Sequence, residues 1–219
     1  MKLLVALAVV GLTLATIVWW RALVRRQREQ FIDDYPYGKF LDRRLAARRP
    51  ELSAAQREQV FAGLREYFQL CREAKKRLVA MPSQVVDDAW HEFILFTRQY
   101  QQFCERGLGR FLHHTPAEAM RTPTDAQDGI KRAWRLACKR QAIDPRAPRS
   151  LPLLFALDAT LAISNGFVYR LDCLAGAKAG AMTPYCAGNI GCGGGCSGGG
   201  SDGGDSSSDG CSGGGCGGD

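Results

Sequence analysis

All three histidines of this 219-residue chain fall between Ser83 and Pro116. His91 closes the run Asp87-Asp88-Ala89-Trp90-His91, and His113-His114 follows Gly109-Arg110-Phe111-Leu112, with Cys104 between the two groups. Imidazole, thiolate and carboxylate are the side chains that ligate transition metals or move protons near neutral pH, so this crowding marks a candidate site. A zinc or iron centre draws its donors from separate elements. Asp87 with His91, joined by His113 or His114 and by Asp158, can supply such a set and hold a divalent transition metal such as zinc. The same residues admit a plainer arrangement in which Asp87 only orients His91. One of the paired histidines then caps backbone groups before Pro116, and Asp158 answers an arginine or a helix terminus. No His-x-x-x-His or Cys-x-x-Cys pair stands in this part of the chain to decide between them.

Two further groups of residues carry chemistry. Cys104 and a histidine can form a nucleophile and its base, but helical spacing puts Cys104 in line with Trp90 rather than His91 and favours a small core residue. Near the carboxyl end, Cys186, Cys192, Cys196, Cys211 and Cys216 are separated by five, three, fourteen and four residues. Thiolates so spaced can hold zinc or copper(I), although the pattern fits no standard finger or ribbon. A redox-sensitive tether is the simpler reading.

These residues need elements to position them. Ser53-Ala-Ala-Gln56 is a capping box, and Val60, Leu64, Phe68 and Cys71 follow at helical spacing, which predicts a helix over 54–80 ended by Met81-Pro82. A second helix starts at Pro82 or Ser83, with Val86, Trp90, Phe93, Thr97, Tyr100 and Cys104 as one apolar stripe. Asp87 and His91 lie one turn apart beside that stripe and can touch. Gly107 and Gly109 close the helix. Thr115-Pro-Ala-Glu118 is another capping box, so the paired histidines precede a helix start. Further helices are predicted over 125–142 and 151–163, the second stopped by Asn165-Gly166, with a short extended piece over 167–171.

The ends of the chain differ from its middle. Leu3 to Trp20 carries no charge and as a helix spans about 27 Å, close to the thickness of a bilayer core. This reads as a transmembrane anchor over residues 1–20, contacting the membrane through residues 3–20. A cleaved signal peptide is the rival, but Trp19-Trp20 suits the interface and no clear small-x-small site precedes the arginines. Arg21, Arg25, Arg26 and Arg28 oppose Lys2, which places the following domain in the cytoplasm at the cell membrane. Residues 21–50 read as a basic juxtamembrane linker with a turn at Asp33–Gly38, and residues 51–175 as the folded domain. Residues 186–219 are almost wholly Gly, Ser, Asp and Cys and read as a disordered tail. The fold class is therefore mainly α: a single-pass amino-terminal helix, a compact helical domain and a disordered Gly/Cys-rich tail.

The formal charge of +7 understates the basicity of the folded part, since the tail adds only aspartates. No nucleic-acid motif accompanies it, so nucleic acid is not an expected partner. Lys75, Lys76 and Arg77 read as a solvated helix face. Nine cysteines, an odd number with four scattered singly through the domain, do not look like a secreted disulfide framework.

Asp87-x-x-Trp90-His91, the spaced Tyr100 and Phe103-Cys104, the glycine and histidine that follow, and Leu154-Phe155-x-x-Asp158 together resemble the glycine-rich domain-containing protein-like family over about residues 50–170. The resemblance implies a helical domain with a histidine site and no assigned activity. Where that family often has a second histidine two positions after the first, this chain has Phe93. The leading functional expectation is a membrane-tethered interaction or scaffold domain with a protein partner and a histidine-centred polar site. The alternatives are a metal-dependent enzyme using His91 with His113 or His114, and metal or redox handling by the tail thiols.

Overall fold

The computed structural model describes residues 2–114, 123–171, 185–186 and 190. In chain order the helices are α1 (Lys2–Asp33), α2 (Tyr37–Arg48), α3 (Ala54–Ala74), α4 (Gln84–Ile94), α5 (Thr97–Phe103), α6 (Pro123–Arg140) and α7 (Leu153–Thr160). A π-helical turn (Cys104–Leu108) continues α5, and β1 (Tyr169–Arg170) pairs in parallel with β2 (Tyr185–Cys186). The mainly helical class read from the sequence is therefore correct. The predicted capping box at 115–118, Cys173, Cys192, Cys196, Cys211, Cys216 and nearly all of the tail lie outside the described residues.

Helix α3 is the hub, touching α1, α2, α4, α6 and α7. Its start is local chemistry: the Gln56 N–H donates to Ser53 Oγ while the Gln56 side chain accepts from the Ser53 N–H. Its end comes earlier than the predicted residue 80, because Lys75 turns left-handed at φ 59° and the Tyr67 hydroxyl donates to the Val79 carbonyl, folding the chain back. Lys75, Lys76 and Arg77 thus belong to a turn and not to a helix face. Gly63 lets α4 and α7 close on α3, since a Cβ there would meet Val86 at 2.8 Å and Leu157 at 2.9 Å.

The predicted helix from residue 83 is broken. Phe96, at ψ 60°, separates α4 from α5 and turns Thr97 out to solvent, where a straight helix would have placed it in the stripe. The break lets Tyr100 and Phe103 pack on Phe93, with ring centroids 5.3 and 5.2 Å away. The other stripe residues, Val86, Trp90, Phe93, Tyr100 and Cys104, are buried as expected.

The largest departure is in residues 21–50. In place of a linker, α1 runs unbroken to Asp33, and α2 adds Tyr37, Leu41 and Leu45 to the core. Its three buried positions are hidden in sequence among arginines, and the arginines of α2 and its C-cap find buried acids on α4. Arg48 and Arg49 reach Asp88 at 2.9 and 2.6 Å, and Arg44 reaches Glu92 at 2.5 Å. Gln69 fastens α1 to α3 by donating to the Glu29 carbonyl and to Asp33. From Val5 to Trp20, α1 is exposed, apolar and long enough to cross a membrane, a description that a signal sequence also meets.

Cys71, Cys104 and Cys138 are free, buried thiols. Burial pushes the Cys71 thiol up to about 12 and the Cys138 thiol up to about 11, and raises Cys104 and the Tyr67 and Tyr100 phenols. These groups keep their protons in the fold above the pH at which they ionise in the unfolded chain. Their contribution to stability is complete below the ordinary thiol value of 9.0 and declines as pH rises toward 12. The urea midpoint of the full chain in neutral detergent should therefore fall between pH 8.5 and about 11, and a flat profile would show that these groups ionise freely in the folded state.

Candidate functional site

Helix α4 carries the site, and its buried amino terminus has to be satisfied first. Ser83 is the cap, accepting from the Val86 N–H at 3.3 Å. Asp158, from α7, completes the cap: its carboxylate accepts from the Ser83 hydroxyl (2.6 Å) and from the backbone N–H groups of Gln84 (2.6 Å), Val85 (3.2 Å) and Phe167 (2.8 Å). The charge of a carboxylate is favourable at a helix amino terminus. Asp158 is 2% exposed and committed to these donors, and among the described residues it joins no group of candidate metal ligands.

Asp87, His91 and His114 converge. Asp87 and His91 are one turn apart on α4, with His91 Nδ1 at 2.8 Å from the Asp87 carbonyl oxygen and 3.3 Å from its carboxylate. A carbonyl only accepts, so Nδ1 of His91 is the protonated nitrogen in this contact and Nε2 is left with its lone pair in the neutral ring. His114 Nε2 lies 3.1 Å from the other carboxylate oxygen of Asp87, and the two imidazole centroids are 4.2 Å apart. One ligand atom from each of the three residues lies within 4.8 Å of the others.

The loop that delivers His114 is held by a hydrogen-bond chain. Trp90 Nε1 donates to the Tyr100 hydroxyl at 3.1 Å, and that hydroxyl donates to the Leu112 carbonyl at 2.6 Å. The Trp90 ring also packs against His114, centroid to centroid 4.5 Å. Trp90 and Tyr100 are therefore positioning residues, a role that the apolar stripe in the sequence concealed. His113, beside His114, is exposed, stacks edge-on against Phe111 and lines the same cleft without joining the three-residue group.

The cluster forms part of the wall of a cleft of about 630 Å³. Lys76, Arg77 and Arg110 line the same cleft, with Met81, Trp90 and Leu112 as its apolar surface. Nothing in the local sequence of the lysine-arginine turn marked it as a neighbour of His91. Cys104 is in the core, as its spacing predicted, and Cys71 reaches the cleft wall as a buried, protonated thiol. Cys186 contributes backbone to β2, while its fellow tail thiols lie outside the described residues.

Neither the curated proteins nor the solved structures contain a match to the chain. The family comparison corrects the resemblance drawn from the Trp-His motif: what matches is not the glycine-rich domain-containing protein-like family. The physical reason is that Trp90, Tyr100, Phe103, Cys104, Leu154 and Phe155 are all core residues, and their spacing is what any buried helix pair requires. The match runs over residues 27–190, taking in the end of α1, all of α2 and Ile190, which packs against the core. On that span, which covers most of its length, the chain belongs to the UCP032817-like family, an uncharacterised family.

Proposed function

We propose that this is a membrane-anchored protein whose helical domain binds a divalent transition metal, such as zinc, through Asp87, His91 and His114. The observation that carries the reading is the convergence of those three ligand atoms at the wall of a cleft. Structural zinc sites are closed by four protein ligands, whereas catalytic ones keep a position open for water or substrate. Three ligands beside a cavity fit the second kind. Lys76, Arg77 and Arg110 in the same cavity favour an anionic ligand there.

Retention of α1 as an anchor is supported by its continuity, since the helix passes from the apolar stretch through the arginines into the core with no small-residue break. The excess of arginine on the carboxyl side of the span favours a cytoplasmic domain, where free thiols at Cys71, Cys104 and Cys138 are also at home.

A second reading, a metal-free polar recognition site for a protein partner, is favoured by a different observation. Asp87 already accepts from both imidazoles, an arrangement that needs no ion to be satisfied.

Titration of the detergent-solubilised full chain with Co(II), followed by visible absorption and elemental analysis, separates the readings. One equivalent bound with nitrogen and oxygen ligation, retained after truncation at residue 190 and lost in a folded His91→Ala or His114→Ala chain, is the expected result. Binding that disappears with the truncation would assign metal to the tail thiols instead, and no binding at all would leave the recognition site. Tyr100→Phe keeps the ring and removes the hydroxyl that holds Leu112, so metal affinity should fall about tenfold or more while the fold persists, the usual cost of losing an outer-shell support. An unchanged affinity would show that the loop holds His114 without it. Asp158→Ala, by contrast, should lower stability by about 3 kcal/mol through uncovering the amino terminus of α4, and Asp34→Ala, at an exposed acid, serves as the comparison in the same urea titration.

A further inference from the structure

A second cavity, of about 900 Å³, lies where α1 leaves its apolar stretch. Arg21, Arg25 and Arg28 of α1 line one side, Lys75 and Lys76 of the turn after α3 a second, and Lys139 of α6 a third. The groove contains two carboxylates, and both are taken. Glu29 lies 3.5 Å from Arg72, and Glu73 lies 2.8 Å from Arg140, which is itself 3.7 Å from Glu29. The six cations named above make no ion pair with a carboxylate among the described residues, and five of them, Arg21, Arg25, Lys75, Lys76 and Lys139, are exposed. Such a concentration of like charge from three elements is costly unless an anion shares it.

The position of the groove indicates which anion. Trp20 belongs both to its lining and to the exposed apolar face of α1, being 62% exposed. Tryptophan is enriched at the level of lipid headgroups, and basic residues just beyond a span attract anionic lipid. We infer that this groove is a binding site for the phosphate headgroup of an anionic phospholipid whose acyl chains lie along the exposed face of α1. The inference rests on the anchor part of the proposed function and is independent of the metal. It differs from a general attraction of juxtamembrane arginines to acidic lipid because Lys75 and Lys139, far along the chain, take part through the fold.

The test uses the full chain reconstituted into vesicles of phosphatidylcholine with a minor share of phosphatidylglycerol. Flotation of the vesicles reports the anchor, and mass spectrometry of lipid retained on extraction reports the groove. Retained phosphatidylglycerol should exceed its bulk share. The excess should fall about fivefold for each of Lys75→Gln and Lys139→Gln, the worth of one cation near a lipid surface, and stay unchanged for Arg98→Gln, an exposed cation on α5 outside the groove. A chain that floats but retains no excess, or loses it equally in all three variants, would overturn the site while leaving the anchor standing. Release of the retained lipid by excess inorganic pyrophosphate would reassign the groove to a soluble phosphate compound. A chain that does not float would remove the anchor and this occupant together. Circular dichroism confirms that each single variant folds.

Discussion

The carboxylate of Asp158 is the contact on which the geometry of this domain turns. A helix that begins inside a protein leaves its first N–H groups without partners, and unsatisfied buried donors cost on the order of 1–3 kcal/mol each. By accepting from Ser83, Gln84 and Val85 at once, Asp158 fixes where α4 starts and how it is rotated. Rotation is decisive, because successive residues on a helix point about 100° apart. A shift of one residue would turn Asp87 into the core and Asp88 toward the cleft.

The neighbours Asp87 and Asp88 show how much that rotation accomplishes. Asp88 faces α2 and is buried against Arg48 and Arg49, while Glu92, one turn on, meets Arg44 and Arg48. Such buried acids are tolerated only because they are paired, and in pairing they fasten α2 to α4. Asp87 faces the other way and collects two imidazoles. One edge of α4 is thus used to hold the fold together and the other carries the group of Asp87, His91 and His114, with the Trp90 stripe between them in the core.

The same economy governs the amino-terminal end. Helix α1 ends in the core and not in a flexible linker, with Gln69 accepting the role of fastener to Glu29 and Asp33, and Arg65 donating to the Asp33 carbonyl. A helix joined in this way transmits its orientation to the domain. The basic groove and the histidine cleft even share lining residues, Lys76 and Arg110, so the two sites are adjacent on one side of the domain.

Several features were determined by sequence alone, because they depend on residues close together along the chain. The helical class, the Ser53 capping box, the burial of Val86, Trp90, Phe93 and Cys104, and the approach of Asp87 to His91 follow from a period of 3.6 and from capping chemistry that acts over three or four residues. Only the tertiary structure decided that α2 belongs to the core, because its three buried residues are too few to mark a buried face until the arginines beside them are seen to meet Asp88 and Glu92. Only it brought His114 rather than His113 beside Asp87 and His91, and committed Asp158 to a helix cap. Those choices depend on contacts between residues far apart in the chain, such as Tyr100 with Leu112 and Asp158 with Ser83, whose partners are set by packing and carry no local periodicity to announce them.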